Sequence, residues 1–213
     1  KCVAACPFGA VNEKSQLIDI LKAIKMGKKV VAMFAPAIAG QFPGTIFQLK
    51  SAMIKAGFYD VVEVAQGADV TTRKESAEFL ERMENGAPFM TTSCCAGYNN
   101  LIEKHLPEIK QYVSDTKTPL FYTAEIVKEK YPDAITVFIS PCVAKRKEVQ
   151  VNDNIDYVMN ADELGALFVG RKIEILDMED TQYQYESSKQ GRNYGVTGGV
   201  AGAVNSLLPE DKK

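Results

Sequence analysis

Lys29-Val30-Val31-Ala32-Met33-Phe34-Ala35-Pro36 is the stretch that decides the architecture. Its apolar run has no polar alternation, so it reads as a strand covered on both faces, which is the habit of parallel sheets. Pro36 cannot continue the ladder and ends it. Ala134 to Ser140 repeats the pattern, and Asp60 to Val64, Ala87 to Thr92 and Asp156 to Met159 read as shorter strands. Helical patterns separate them. Ile46, Leu49, Met53 and Ala56 recur at helical spacing, as do Ala77, Leu80 and Met83, then Tyr98, Leu101, Ile102 and His105. Thr72-Arg73-Lys74-Glu75 has the form of a capping box opening the second of these. Thr123 is expected to cap a helix through Lys130, Asn160 and Glu163 to open one ending near Gly170, and Gly195 to Gly199 to lead into one through Leu208. Asp177 to Gly191 is polar without period and reads as a loop. Strands alternating with helices imply the α/β class: a mainly parallel sheet flanked by helices, with room for two lobes around a site. Ligands in such folds gather beyond the carboxyl ends of strands. Ala35-Pro36, Cys94-Cys95 and Cys142 all stand at such ends in this reading.

The totals narrow the function. With 213 residues the chain can bury roughly 70% of its unfolded surface. A net charge of -2 gives no reason to expect nucleic acid. No apolar run approaches the ~18 residues of a membrane span, so no membrane is expected as a partner. Five cysteines at irregular spacing argue against a secreted disulfide scaffold and for metal-binding or reactive thiols in a reducing cytoplasm.

Thr91-Thr92-Ser93-Cys94-Cys95-Ala96-Gly97-Tyr98 carries two adjacent thiols at a strand-to-helix corner, where outward backbone amides can hold a thiolate or a cluster. Buried small hydrophobes are the plain alternative. A second cysteine in a similar setting, Ser140-Pro141-Cys142, favours the site. Lys145 lies three residues further on, in a charged run that otherwise reads as a solvated helix face. Glu75 and Glu78 share a helix face; from spacing alone Glu75 is a cap and Glu78 a surface charge. His105, the only histidine, suits the last turn of its helix. The opening Cys2-x3-Cys6-Pro7 is the closing half of the bacterial ferredoxin run, which needs two further cysteines to hold a cubane. Residues 1–12 are therefore expected to be the remnant of a ferredoxin-like 4Fe-4S module, and 13–213 a catalytic domain.

Together, Thr92 to Tyr98, Ser140-Pro141-Cys142-Val143-Ala144-Lys145-Arg146-Lys147-Glu148 and Gly195-Val196-Thr197-Gly198-Gly199-Val200 resemble the iron-only ([FeFe]) hydrogenase family. Gln66-Gly67-Ala68-Asp69 extends the resemblance. It implies an H-cluster: a 4Fe-4S cubane bridged through a cysteine to a di-iron subcluster. Cys95 and Cys142 match two of the four cubane ligands, and Cys2 and Cys6 the ferredoxin-type ligands. The other two cubane cysteines belong to a third motif, absent before Lys213, so the domain is expected to be incomplete at that end and inactive alone. Cys94 resembles the proton-transferring thiol, with Glu75, Ser114 and Glu78 continuing a relay to solvent. Lys145 resembles the lysine that hydrogen-bonds a cyanide ligand. Ala35, Pro36 and Gly195 resemble backbone lining the di-iron pocket. The implied reaction is reversible reduction of protons to H2, with ferredoxin or another redox carrier and maturation proteins as partners. The competing implication is a non-catalytic hydrogenase-like sensor or iron–sulfur assembly protein. The chain departs from the family at Ala96 (often Pro), Tyr98 (Trp), Ser140 (Met), Leu120 after Pro119 (Gln) and Tyr194 (Phe), each a contact near the di-iron unit.

Overall fold

The computed structural model describes residues 6–8, 10 and 13–210. Four strands, β1 (Val30–Phe34), β2 (Asp60–Glu63), β3 (Ile135–Ile139) and β4 (Tyr157–Met159), form one sheet in the order β2-β1-β3-β4. All three pairings are parallel, with Val31 opposite Asp60, Val30 opposite Ile135 and Val137 opposite Tyr157. Helices follow in chain order: α1 (Leu17–Lys25), α2 (Ile46–Lys55), α3 (Ala65–Glu84), α4 (Ala96–His105), α5 (Pro119–Lys130), α6 (Lys145–Val149), α7 (Ala161–Gly170), α8 (Lys189–Arg192) and α9 (Gly199–Ser206).

The period of two along β1 explains its unbroken apolar run. Val30, Ala32 and Phe34 point into a core shared with Ile20 of α1, Leu49 and Met53 of α2 and Leu164 of α7. Val31 and Met33 point into a second core with Val62, Phe138 and the α5 residues Leu120, Ala124 and Val127. All five residues of β1 are buried, as a strand between two helical layers requires. The helix α3 crosses α5 at Gly67, where a Cβ would lie 2.0 Å from the Pro119 carbonyl; only glycine allows that approach.

Five expectations need correction, and one helix was missed. The helix opened by Thr72 does not start there: α3 begins at Ala65, directly after β2, and runs 20 residues. Thr72 is buried inside it and its hydroxyl turns back to the Ala68 carbonyl at 2.8 Å, a bond threonine makes within a helix. Glu75 is accordingly no cap, and Glu78 is no solvated charge. Thr123 is likewise internal, bonded to the Pro119 carbonyl at 2.9 Å; the cap of α5 is Thr118. Ala87 to Thr92 is not a strand of the sheet. Only Thr91 bridges Val113, outside the sheet, and Pro88 removes a donor that a ladder would use. The helix α1, whose sequence carries no Gly or Pro punctuation at its start, was not anticipated. The capping box of α7 stands as read: Asn160 Oδ1 accepts from Glu163 N at 2.7 Å, and the glutamate returns a bond to Asn160 N. Among the described residues no helix is long and apolar enough to cross a membrane.

Candidate active site

The cysteine pair sits at a loop-to-helix corner. Cys95 is the N-cap of α4, and its sulfur accepts the Tyr98 N–H at 3.4 Å, so the first orphan amides of the helix face a thiol. Cys95 is exposed and Cys94 half-buried. Burial pushes the Cys94 thiol up from its ordinary pKa; the Thr92 hydroxyl at 3.9 Å and the Lys145 cation pull the other way without winning. Ser93, between Thr92 and Cys94, is fixed by its hydroxyl to the Thr116 carbonyl at 2.6 Å.

Cys142 follows β3. Its N–H donates to Ser140 Oγ at 3.2 Å, so the serine shapes the turn that presents an exposed thiol. Three residues on, Lys145 opens α6 and reaches back across the gap between corners. Its ammonium donates to the Cys94 carbonyl at 3.0 Å and to Glu148 Oε2 at 2.5 Å. Glu148 is held in turn by the Thr118 hydroxyl. The corners bearing Cys95 and Cys142, 47 positions apart in sequence, therefore meet through Lys145. The end of β1 borders the second corner, since Ala35 N–H donates to the Ile139 carbonyl at 2.9 Å. The Tyr194-Gly195 turn closes on it: a Cβ at Gly195 would lie 2.8 Å from Ala37 N and 3.1 Å from the Pro36 carbonyl carbon. Ala35, Pro36 and Gly195 thus share one wall. Beside it the Tyr194 hydroxyl meets Thr72 Oγ1 at 2.9 Å.

The carboxylates of α3 lie behind the cysteine pair. Glu75 is fully buried; its Oε1 accepts the Ser93 N–H at 3.2 Å, while Oε2 has no partner among the described residues. Burial raises its pKa, against bonds from Ser93 and Ser114 that lower it. One turn along, Glu78 accepts from Ser114 Oγ at 2.6 Å, Thr116 Oγ1 at 2.8 Å and Asp115 N at 2.9 Å, and pairs with Arg82 at 2.7 Å. Burial pushes Glu78 up, but these donors outweigh it and hold its pKa below the usual carboxylate value. Ser114 therefore stands between an inner carboxyl that favours its proton and an outer one that favours its charge.

Other expected residues lie elsewhere or beyond view. Cys2 lies outside the described residues. Cys6 is half-buried, and His105 ends α4. Among the described residues no group of three or more His, Cys, Asp or Glu is placed to hold a metal. Arg82, Glu148 and Thr116 were not singled out in the sequence. The i,i+4 spacing of Glu78 to Arg82 and the i,i+3 spacing of Lys145 to Glu148 were the available signals for two of them.

Residues 28–212 match the family described as iron only hydrogenase large subunit, C-terminal domain. The chain belongs to the iron-only hydrogenase family. It is 30% identical over 230 residues to iron hydrogenase 1 of Clostridium pasteurianum, covering 93% of this chain and 40% of that one. It is 30% identical over 239 residues to the NADP-reducing hydrogenase subunit HndD of Solidesulfovibrio fructosivorans, covering 96% and 41%. The chain thus spans about two-fifths of the length of these relatives. A cytosolic Fe-S cluster assembly factor of Kluyveromyces lactis is 27% identical over 134 residues, covering 61% of this chain and 28% of that protein. Among solved structures, an [FeFe]-hydrogenase from Chlamydomonas reinhardtii superposes with a TM-score of 0.72 at 27% identity, covering 83% of this chain and 53% of that one. The parallel α/β architecture expected from β1 is the architecture of that fold.

Proposed function

We propose that this chain is the ligand-bearing and proton-handling part of an iron-only hydrogenase that reversibly reduces protons to H2 with electrons from a ferredoxin-type carrier. The observation that carries the reading is the Lys145 ammonium bonded to the Cys94 carbonyl, which joins the two cysteine corners at one rim. The donor chemistry fits a shared cluster site. A 4Fe-4S cubane takes four thiolates. Cys95 and Cys142 are exposed thiols at meeting corners and would supply two of them. Two further thiolates would complete the set. When bound, the H-cluster supplies the redox chemistry, storing electrons and reducing protons at its di-iron unit.

The chain's own residues handle the charge and the proton. The Lys145 ammonium, fixed by Glu148, would offer a positive charge and N–H donors to an anionic cofactor. Ala35, Pro36 and Gly195 would form one wall of its pocket. A proton would pass between Cys94 Sγ and the Glu75 carboxyl, then through the Ser114 hydroxyl to Glu78 and solvent. In support of this path, Glu75 accepts the N–H of Ser93, the residue before Cys94, and Ser114 and Thr116 donate their hydroxyls to Glu78. A cytoplasmic setting belongs to the same proposal, as does electron supply through a ferredoxin-like module that includes Cys2 and Cys6, and assembly by maturation proteins.

A second reading follows from the similarity to the Kluyveromyces lactis assembly factor: an iron–sulfur protein without turnover. A structural cubane needs neither Cys94 nor Lys145, so their presence in this geometry favours the enzyme. The test is anaerobic reconstitution of residues 1–213, followed by iron and sulfide analysis and hydrogen evolution after maturation. With two of four cubane thiolates, this chain alone is expected to hold no complete centre and to evolve no hydrogen. A stoichiometric cluster with turnover would refute the two-ligand assignment.

A further inference from the structure

Arg146 follows Lys145 in sequence, but its side chain runs toward the edge of the sheet. Its Nε donates to Glu13 Oε2 at 2.8 Å, one terminal nitrogen to the Val158 carbonyl at 3.2 Å and the other to Glu163 Oε2 at 3.0 Å. The second oxygen of Glu13 is held by Asn160 Nδ2. Gln16 Oε1 accepts the Val158 N–H at 2.9 Å. Val158 is the middle residue of β4, an edge strand, so both of its outward-facing backbone groups are taken by side chains. Such an edge would otherwise expose unpaired groups. The arrangement joins three things: the N-terminal segment 13–16, the sheet edge, and the α6 turn that begins three residues after Cys142. The Arg146 side chain is 15% exposed, and its planar fork meets two carboxylates and a carbonyl at once. A lysine, with one charge centre, could not serve all three.

We infer that Arg146 is a positioning residue that clamps the N-terminal segment against the Cys142 corner. The clamp fixes where residues 13–16 stand relative to the rim. Cys6 lies seven residues before Glu13, so an extended tether keeps it within about 25 Å of the clamp. The functional consequence rests on the proposed hydrogenase reading, in which electrons arrive through that N-terminal module. A loosened clamp would let the donor module wander from the Cys142 corner while leaving both sets of ligands intact.

The test is pulsed dipolar EPR on the metal-free chain, with spin labels at Cys142 and at Lys14→Cys, and the other cysteines replaced by serine. With Arg146 present, a single narrow distance population is expected. Arg146→Gln should lose that population to a broad one, Arg146→Lys should restore it only in part, and Glu13→Gln should broaden it as well. The Arg146→Gln, Glu13→Gln double variant should be no broader than either single one, because both remove the same link. Urea midpoints of the same samples separate general destabilisation, which lowers the midpoint without broadening the distances of folded molecules. A narrow population retained in both Arg146→Gln and Glu13→Gln would overturn the clamp. The measurement uses no cluster, so that result leaves the hydrogenase reading standing; conversely, failure of the parent protein to bind iron would sink that reading and leave the clamp.

Discussion

Replacing Glu78 by glutamine tests the outer carboxylate, because every group around it donates. Oε1 faces the Arg82 guanidinium at 2.7 Å and Asp115 N–H at 2.9 Å; Oε2 faces the Ser114 and Thr116 hydroxyls at 2.6 and 2.8 Å. An amide has one accepting oxygen. The Asp115 N–H and the guanidinium cannot become acceptors, so the glutamine oxygen should take their side; the Thr116 N–H, 3.3 Å from Oε2, would keep its second bond to Ser114 Oγ at 3.1 Å. The two hydroxyls can rotate and accept from the new NH2. What disappears is the charge assistance of about three bonds and the ion pair with Arg82, partly offset by water because the side chain is 17% exposed. The expected loss is about 1–2 kcal/mol for Glu78→Gln. Glu78→Ala, which strands all these donors, should lose about 3 kcal/mol. Urea denaturation at pH 7 measures both, and about 2–4 °C in Tm per kcal/mol is expected for a chain of this size. The pH dependence has a definite sign. The Glu78 pKa is lowered on folding, so its stabilisation is present above the ordinary glutamate value and is lost as pH falls through the folded value. The gap between wild type and Glu78→Gln should therefore close on acidification. Equal stability at pH 7, or a gap that widens toward pH 3, would refute this account of the 114–116 loop.

Glu75→Gln should behave oppositely: the Glu75 pKa is raised by burial, so the wild type loses stability relative to the variant as pH rises from the ordinary glutamate value through the folded value, by at most ~1.4 kcal/mol per pH unit. Denaturation midpoints of both proteins from pH 4 to 8 measure it. Gly195→Ala forces a Cβ to 2.8 Å from main-chain Ala37 N and should cost about 1–3 kcal/mol, read by thermal melting and by chemical-shift changes at Ala37 and Tyr194. Met33→Ala removes a fully buried side chain from the core under α5 and should cost about 2–5 kcal/mol in the same melts.

The architecture was legible wherever burial acts on both faces of an element. The uninterrupted apolar residues of β1 and β3 have no other stable use, and their flanking helices follow from them. Reading failed where local signals competed with tertiary ones. Thr72 and Glu75 have the spacing of a capping box, yet Ser93 N–H and the packing of α3 on α5 hold them inside a longer helix. Ala87 to Thr92 has strand-like residues, but nothing in the sequence says that the sheet already has both its edges. The cysteine corners were visible as composition at loop positions. Their convergence through Lys145 was not, because spacing carries no information about a contact across 51 residues. The two α3 carboxylates were the hardest: a fully buried glutamate and one held by loop donors look alike in sequence, and only the donors of the 114–116 loop distinguish them.

The most direct test of the account compares Cys94→Ala with Cys95→Ala in a protein that carries this chain with a complete set of cubane thiolates, scored by cluster EPR and by hydrogen evolution. The two thiols are neighbours in the chain, one half-buried before Glu75 and Lys145, the other capping α4 at the open rim. Cys95→Ala is predicted to lose the cubane signal and turnover together, whereas Cys94→Ala keeps the cubane and loses turnover. A Cys94→Ala protein that fails to assemble the cubane, beside a Cys95→Ala protein that does, would contradict the assignment.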